Sequence, residues 1–200
     1  IHIFIISIFS LFRKHLSTSY LLTGMNPNKK NVRSPNLYLI GFMGTGKSSA
    51  GKWAAKKLKM EFLDSDQQIE ATYGSSIRII FENEGEAKFR ELEKKFIQSG
   101  CPETNYLISC GGGLPIPDGM IELLKSKGKV ITLDASVDTI LERTSEDNSR
   151  PLLQTENPKE AIQSLLKKRE PKYLLADQII STEKRNTEQV ADEIVQAYLR

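Results

Sequence analysis

The run GFMGTGKS at 41–48 is the strongest chemical signal in this chain. It fits the pattern G-x-x-x-x-G-K-S/T, in which glycines let successive backbone N–H groups point at phosphate oxygens and the following helix adds its positive N-terminal end. We expect the lysine to reach the outer phosphates of a nucleotide and the serine hydroxyl to hold Mg²⁺. A glycine-rich turn with a solvated lysine is the alternative. The nucleotide-binding residues predicted here are Gly44, Thr45, Gly46, Lys47, Ser48 and Ser49.

Two aspartates follow the second apolar run, in the segment FLDSDQQIE at 62–70. Because residues i and i+2 of an extended segment face the same way, Asp64 and Asp66 can both project beyond the carboxyl end of a strand, where open α/β sheets bind ligands. One carboxylate suits Mg²⁺ and its waters, and the other suits an acceptor hydroxyl that it would orient and deprotonate. Helix capping is the alternative, since Ser65 with Gln68 fits a capping box and an aspartate at 66 favours a helix start.

Two arginines are placed where they can face a cleft. Arg90 and Glu93 lie three residues apart beside the apolar stripe of a predicted helix, and an exposed ion pair is the alternative for them. Arg169 lies four residues after Leu165 and extends an apolar row inward, unless its head reaches the surface. Because a guanidinium group matches a carboxylate in two parallel hydrogen bonds, two inward arginines indicate an anionic acceptor.

Three consecutive glycines, Gly111, Gly112 and Gly113, follow the third apolar run. Such a run is conformationally costly, and it is expected where the backbone approaches a ligand closely or adopts positive φ. A plain turn is the alternative. We therefore include the three glycines among the candidate binding residues.

A phosphate loop predicts a nucleotide but not a reaction, and two nucleotide-binding classes lack their signatures. A GTPase would carry an NKxD-type guanine reader, and NKKN at 28–31 has no acid and precedes the first strand. A dinucleotide-binding turn would read GxGxxG, but Ser49 stands where its third glycine is required. The size and the motifs favour a kinase acting on a small acceptor.

The composition is typical of one globular domain, with 200 residues, 39% hydrophobic and 26% charged side chains. A net charge of +3, from 28 basic and 25 acidic residues, is too slight to indicate a nucleic-acid partner. Cys101 and Cys110 lack the spacing of a zinc site or a disulfide framework, which favours a reducing compartment.

The elements that must position these residues alternate as in an α/β fold with a parallel sheet. Helical apolar spacing between the strands predicts core faces, one of them formed by Ala50, Trp53, Ala54 and Leu58. Asn157 with Pro158 predicts the start of a helix that Pro171 ends, and Val190, Ile194 and Ala197 mark a last helix. The predicted strands are 36–40, 61–63, 106–109, 129–133 and 178–180.

The N-terminal segment differs from the rest of the chain. The apolar run IHIFIISIFSLF is too short for a membrane span, and its basic residues follow the run instead of preceding it as in a secretory signal. We expect residues 1–35 to be an extension outside the fold, with Met25 as the natural start and residues 1–24 an upstream artefact. A cleaved transit peptide is the alternative. Residues 36–200 are then the catalytic domain.

From about Asn36 to the C-terminus, the chain closely resembles the shikimate kinases. The motifs that carry the resemblance are GFMGTGKS at 41–48, DSD at 64–66, SIRIIFENEGEAKFRELE at 76–93, GGG at 111–113, RPLL at 150–153 and REPKY at 169–173. This resemblance implies a P-loop kinase of the nucleoside-monophosphate-kinase type, with a five-stranded parallel sheet in the order 2-3-1-4-5 flanked by helices. It implies transfer of the γ-phosphoryl group of ATP to the 3-hydroxyl of shikimate, on the pathway to chorismate and the aromatic amino acids.

The resemblance also implies a role for each candidate residue. Asp66 would contact the shikimate hydroxyls and act as base, and Arg90 and Arg169 would clamp its carboxylate. Asp64 would hold the Mg²⁺ shell, with Ser48 as direct ligand. The backbone of Gly112 would contact the shikimate ring, and Glu93 would position Arg90. Arg150 would reach the phosphates from a lid, and Arg143 and Arg185 would hold the adenine. The family often carries proline at the position of Thr187, so this chain departs from the family motif near the residues implied to contact adenine.

Two other functions remain open from the sequence. A kinase for another small acceptor, such as gluconate or a nucleoside monophosphate, would need different acceptor grips. An inactive relative serving as a regulatory module would be expected to have lost Lys47, Asp66 or an arginine, and all are present. The family resemblance further implies a cytoplasmic monomer, or a plastid protein if residues 1–24 are a transit peptide.

Overall fold

The computed structural model describes residues 34–145 and 157–200. The predicted extension lies outside these residues except for Ser34 and Pro35, and Arg150 lies outside them as well. Five strands form one sheet: β1 (Asn36–Ile40), β2 (Glu61–Asp64), β3 (Tyr106–Ser109), β4 (Gly128–Asp134) and β5 (Gln178–Ser181). All neighbouring strands are parallel and their order is β2-β3-β1-β4-β5. The fold implied by the sequence is thereby confirmed, with three strands longer than predicted by one or two residues.

Seven α-helices are described alongside the sheet: α1 (Lys47–Leu58), α2 (Ser65–Tyr73), α3 (Ile77–Lys95), α4 (Met120–Lys127), α5 (Val137–Thr144), α6 (Pro158–Tyr173) and α7 (Thr187–Leu199). A π-helical turn, Phe96–Gly100, continues α3. Local signals set several helix starts: the side chains of Ser76, Ser136 and Asn157 accept hydrogen bonds from the first turns of α3, α5 and α6. Asn186 forms a capping box with Gln189 at the start of α7.

Alternate residues of the central strands feed two cores, one on each face of the sheet. Tyr38 and Ile40 of β1 face the core that α3 to α6 cover, together with Ile108 of β3. Leu37 and Leu39 face the core that α1 and α7 cover. The central strand β1 is buried on both faces, as its continuous apolar sequence predicts for a parallel sheet.

Two sequence predictions about helices were wrong. Trp53 is 47% exposed and does not join the buried face of α1, because that face packs too closely for a large side chain. A Cβ on Gly51 would already lie 3.0–3.1 Å from the side chains of Phe62, Leu107 and Leu39. Pro171 does not end α6, which continues to Tyr173.

Within 34–145 and 157–200, no helix combines the length and the apolar composition that a bilayer span requires.

Candidate active site

The phosphate loop joins β1 to α1 at the carboxyl edge of the sheet. Gly46 adopts the left-handed conformation (φ 88°) directly before the first helical residue, so the N-terminal N–H groups of α1 face the loop. Lys47 is buried, and its ammonium group donates to the carbonyls of Gly41 (3.0 Å) and Phe42 (2.8 Å). The Thr45 hydroxyl also donates to the Phe42 carbonyl, at 2.8 Å. The loop is therefore held by its own side chains.

A cluster of oxygen atoms lies beside this loop, where β2 and β3 end. The Ser48 hydroxyl donates to Asp64 Oδ2 at 2.8 Å and lies 3.1 Å from the hydroxyl of Ser109. Asp64 and Ser109 are register partners on the neighbouring strands. The other oxygen of Asp64 accepts the backbone N–H groups of Asp66 and Gln67, so Asp64 caps α2. Hard oxygen donors of this kind suit Mg²⁺.

Asp66 lies in the first turn of α2, so the expectation that it shares an extended segment with Asp64 was wrong. The two side chains nevertheless line the same cavity, because the strand ends where the helix begins. The alternative, a capping box at Ser65, is also absent, since Asp64 is the N-cap and the Ser65 hydroxyl instead accepts the backbone N–H of Gly111 at 2.9 Å. Burial, reinforced by the charge of Asp64, raises the pKa of Asp66 to about 6.

Gly111 and Gly113 are required by the side chains that pack against them. A Cβ on Gly111 would lie 2.4 Å from Asp66 Oδ1, and one on Gly113 would lie 2.3 Å from Arg90 Nη2. Neither glycine has positive φ in the described structure. The glycine run therefore gives a carboxylate and a guanidinium group close access to one backbone segment.

Arg90 and Glu93 form a largely buried ion pair, which excludes the exposed alternative. Arg90 Nη1 donates to Glu93 Oε2 at 2.5 Å, and Nη2 donates to Glu86 Oε1 at 2.7 Å. The Glu93 side chain is 1% exposed, and its Oε1 has no hydrogen-bond partner among the described residues. Burial raises the pKa of Glu93 to about 7, although the adjacent Arg90 opposes the shift.

Arg169 is also buried, at 8% exposure, so its head does not reach the surface. Its guanidinium carbon lies 5.9 Å from the ring centroid of Phe42, a residue of the phosphate loop. Both arginines thus lie next to the elements that build the site, Arg90 against the glycine run and Arg169 against the phosphate loop. Burying a guanidinium group is costly unless it is paired, which fits a site that receives an anion.

Two further arginines border the other end of the loop. Arg143 donates to the carbonyl of Gly44 (3.3 Å) and to Thr182 Oγ1 (3.0 Å). Arg185 donates to the carbonyl of Ser181 (2.8 Å) and to Glu193 Oε2 (2.5 Å). Thr182 is buried directly after β5, so this strand and α5 converge on the phosphate loop.

These elements enclose a cavity of about 640 Å³. The cavity lining does not include Arg90, Glu93, Gly113 or Arg169. Arg90 packs against Gly113, which follows the lining residue Gly112, and Arg169 lies near Phe42, which precedes the lining residue Met43. The predicted site residues that the cavity brings together are Gly44, Thr45, Gly46, Lys47, Ser48, Ser49, Asp64, Asp66, Gly111, Gly112, Arg143 and Arg185.

Three groups at this site were not predicted from the sequence. Ser109 could have been found, since it ends a predicted strand at the edge where ligands bind. Thr182 and Asn186 line the cavity after β5 in a segment without a local signature. Tyr173 donates its hydroxyl to the Gly112 carbonyl at 2.6 Å, a contact across 61 residues that no periodicity predicts.

Comparison with known proteins decides the family. The model of the family described as shikimate kinase matches residues 43–199. This chain belongs to the shikimate kinase family. A shikimate kinase from Thermodesulfovibrio yellowstonii is 45% identical over 165 residues, which cover 82% of this chain and 95% of that protein. The residues matched by the family model include 43–48 of the phosphate loop, both aspartates, the glycine run, Arg90 and Arg169.

Solved structures give the same result. A shikimate kinase from Acinetobacter baumannii, determined in complex with shikimate, superposes with a TM-score of 0.79 at 40% identity, covering 83% of this chain and 93% of that one. A gluconokinase from Sinorhizobium meliloti reaches a TM-score of 0.54 at 14% identity, over 84% and 94% of the two chains. This second likeness concerns the fold alone. The shikimate kinase family therefore accounts for both the sequence and the architecture.

Proposed function

We propose that this enzyme transfers the γ-phosphoryl group of ATP to the 3-hydroxyl of shikimate, giving shikimate 3-phosphate and ADP for chorismate and aromatic amino acid biosynthesis. The observation that carries the proposal is the glycine run, which packs against a partly buried carboxylate at Gly111 and a partly buried guanidinium group at Gly113, beside a phosphate loop. An acceptor bearing hydroxyl groups and one carboxylate fits this combination. Membership of the shikimate kinase family supports it.

The nucleotide would lie in the cavity at the phosphate loop. Backbone N–H groups of Gly44, Thr45 and Gly46 and the N-terminus of α1 favour its phosphates. Lys47 would exchange its bonds to loop carbonyls for contacts with the outer phosphates, where its charge opposes the negative charge of the transferred group. Ser49, Arg143 and Arg185 line the same cavity and would contact the nucleotide.

The oxygen cluster fits a magnesium ion. The Ser48 hydroxyl and the Asp64 carboxylate are 2.8 Å apart, and both are hard donors. We propose Ser48 as direct ligand and Asp64 as the residue that orients bound water. When bound, Mg²⁺ neutralises charge on the nucleotide phosphates. Asp64 also caps α2, which fixes the direction of its carboxylate.

Asp66 would act as the base that accepts the proton of the acceptor hydroxyl. A pKa of about 6 keeps the carboxylate ionised near neutral pH and brings it closer to the operating pH than an exposed aspartate. Arg90 and Arg169 would hold the shikimate carboxylate, Glu93 would position Arg90, and the backbone of Gly112 would face the ring. The role that the family resemblance implies for Arg150 stays a prediction.

The catalytic unit, the oligomeric state and the location of the enzyme are also part of this proposal. We expect residues 36–200 to constitute the catalytic unit, acting as a monomer in the cytoplasm without nucleic-acid or membrane partners. The free thiols of Cys101 and Cys110 and the small net charge support this setting. Light scattering of the purified enzyme would test the monomer, and a persistent dimer would contradict it.

The substrate position is tested by identifying the product. The enzyme is incubated with ATP, Mg²⁺ and shikimate, and phosphorus NMR shows which ring carbon bears the new phosphate. A phosphate at the 3-position alone is expected. Arg169→Lys should raise the KM for shikimate and leave the KM for ATP unchanged, because a point charge replaces a planar fork. An unchanged shikimate KM would contradict the carboxylate clamp.

A further inference from the structure

Tyr173 connects the two halves of the proposed acceptor site. The residue is 4% exposed and lies one helical turn after Arg169, at the end of α6. Its hydroxyl donates to the Gly112 carbonyl at 2.6 Å. Its own backbone carbonyl accepts the Thr132 hydroxyl at 2.6 Å, at the carboxyl end of β4. Both ends of the residue are therefore fixed to other elements.

The peptide that Tyr173 holds is the one next to Arg90. Gly113 follows Gly112 directly, and its Cα packs against the guanidinium group of Arg90, which leaves no space for a Cβ. Because a peptide unit is planar, fixing the Gly112 carbonyl also fixes the direction of the Gly113 N–H. Gly112 in turn approaches the phosphate loop, because a Cβ added to Gly112 would lie 3.4 Å from the backbone nitrogen of Met43.

We propose that Tyr173 is a positioning residue that sets the distance between the Arg90 and Arg169 guanidinium groups, and so the fit of the acceptor carboxylate. The inference rests on the proposed function, in which both arginines hold that carboxylate. The helix that carries Arg169 is tied through one hydroxyl to the backbone against which Arg90 packs. Burial raises the pKa of Tyr173 to about 12, so the hydroxyl stays a donor throughout the working pH range.

The test compares two tyrosine-to-phenylalanine variants. Tyr173→Phe removes the hydroxyl, and with it the donor to Gly112 and the hydrogen bond with Arg169, and leaves the ring in place. Tyr198→Phe is the matched control, because its hydroxyl also donates to a backbone carbonyl at 2.6 Å, that of Pro35, in a part of the fold that does not line the cavity. Both variants are assayed for kcat, for the KM of shikimate and of ATP, and for the midpoint of thermal unfolding.

We expect Tyr173→Phe to raise the KM for shikimate by roughly tenfold, which corresponds to the loss of about one hydrogen bond between a displaced guanidinium group and the bound carboxylate. The kcat and the KM for ATP should stay within about twofold of the parent. Tyr198→Phe should leave all three constants unchanged. A purely structural role would lower the unfolding midpoint of both variants and leave the KM for shikimate at the parent value in each, which would overturn the inference.

Two further variants, Thr132→Val and Arg169→Lys, complete the test. If Tyr173→Phe does not fold, Thr132→Val removes the second hydrogen bond that holds Tyr173, the one to its backbone carbonyl. Because this bond fixes the end of α6, an unchanged KM for shikimate in that variant would overturn the inference. Arg169→Lys is measured in parallel. If Arg169→Lys raises the KM for shikimate and Tyr173→Phe does not, only the inference fails, whereas an unaffected KM in Arg169→Lys refutes the clamp itself.

Discussion

Replacing Asp66 with asparagine should stabilise the protein while abolishing phosphoryl transfer. The carboxylate is partly buried between α2 and the glycine run, and it has Asp64 as a neighbouring negative charge. Both features favour the neutral form of the side chain. Asparagine has nearly the same shape and no charge, so the variant keeps the packing and loses the base.

The size of the gain follows from the pKa. Burial and the Asp64 charge raise the pKa of Asp66 from 3.8 to about 6, although Lys47 opposes them. The folded protein therefore binds this proton more tightly than the unfolded chain does, and the wild type loses stability as the pH rises from about 4 to about 6. At about 1.4 kcal/mol for each pH unit, the asparagine variant should be more stable by up to about 3 kcal/mol above pH 6.

The assay is urea denaturation of both proteins at a series of pH values between about 4 and 8. The difference in free energy of unfolding should be largest above about pH 6 and should fall steeply towards pH 4, because the carboxyl of the folded wild type is then protonated and that of the unfolded chain is becoming so. Asp118→Asn is the control. The Lys172 ammonium lowers the pKa of that exposed aspartate, so its replacement should give no gain at any pH.

Two results would refute this reasoning. An Asp66→Asn variant no more stable than the wild type above pH 6 would show that the carboxylate is not held in an unfavourable environment. Substantial ADP release with shikimate from the same variant would remove Asp66 from the mechanism. Retained ATP binding is the required check that the nucleotide site is intact.

Three further predictions concern other parts of the site. Gly113→Ala should raise the KM for shikimate severalfold and leave the KM for ATP unchanged, because the new Cβ would lie 2.3 Å from Arg90 Nη2 and displace a flexible side chain. The ratio kcat/KM for shikimate should rise with pH through about 6 as Asp66 ionises, which a series of initial rates would show. Ser48→Ala should raise the Mg²⁺ concentration needed for half-maximal rate about tenfold or more, since a direct ligand is lost.

Each of these has a distinct control. Gly100→Ala adds the same methyl group in the π-helical turn and should leave both KM values unchanged; a rise in the shikimate KM there would point to general distortion. A rate profile that stays flat between about pH 5 and 8 would contradict an essential carboxylate with a raised pKa. The Ser126 hydroxyl donates to a helix carbonyl away from the cavity, so Ser126→Ala should show the same dependence of rate on Mg²⁺ concentration as the parent.

The fold could be predicted well because its signals are local. The strand β1 is one continuous apolar run, the phosphate loop is contiguous in the chain, and asparagines cap α6 and α7. Trp53 shows the limit of such signals. Helical spacing correctly places it beside Ala50 and Ala54, but it cannot show that the interface with the sheet is too close for any but small side chains.

Most residues of the candidate site could be predicted from the sequence, but the way in which the fold brings them together could not. Asp64 and Asp66 were expected together for the wrong reason, because β2 already ends at Asp64, which caps α2, whereas the capping signal of this segment was assigned to Ser65. The full burial of Glu93 depends on the packing of α3 against the sheet. The contact of Tyr173 with Gly112 depends on how α6 docks, which is a tertiary property.

The most direct test of the proposed function is a coupled ADP-release assay on the full chain with ATP and Mg²⁺. Shikimate, gluconate and a set of nucleoside monophosphates are offered in parallel as acceptors, with ATP binding measured separately. We predict ADP release with shikimate alone. No release with shikimate from protein that still binds ATP, or equal release with gluconate, would contradict the assignment of Arg90 and Arg169 to the shikimate carboxylate.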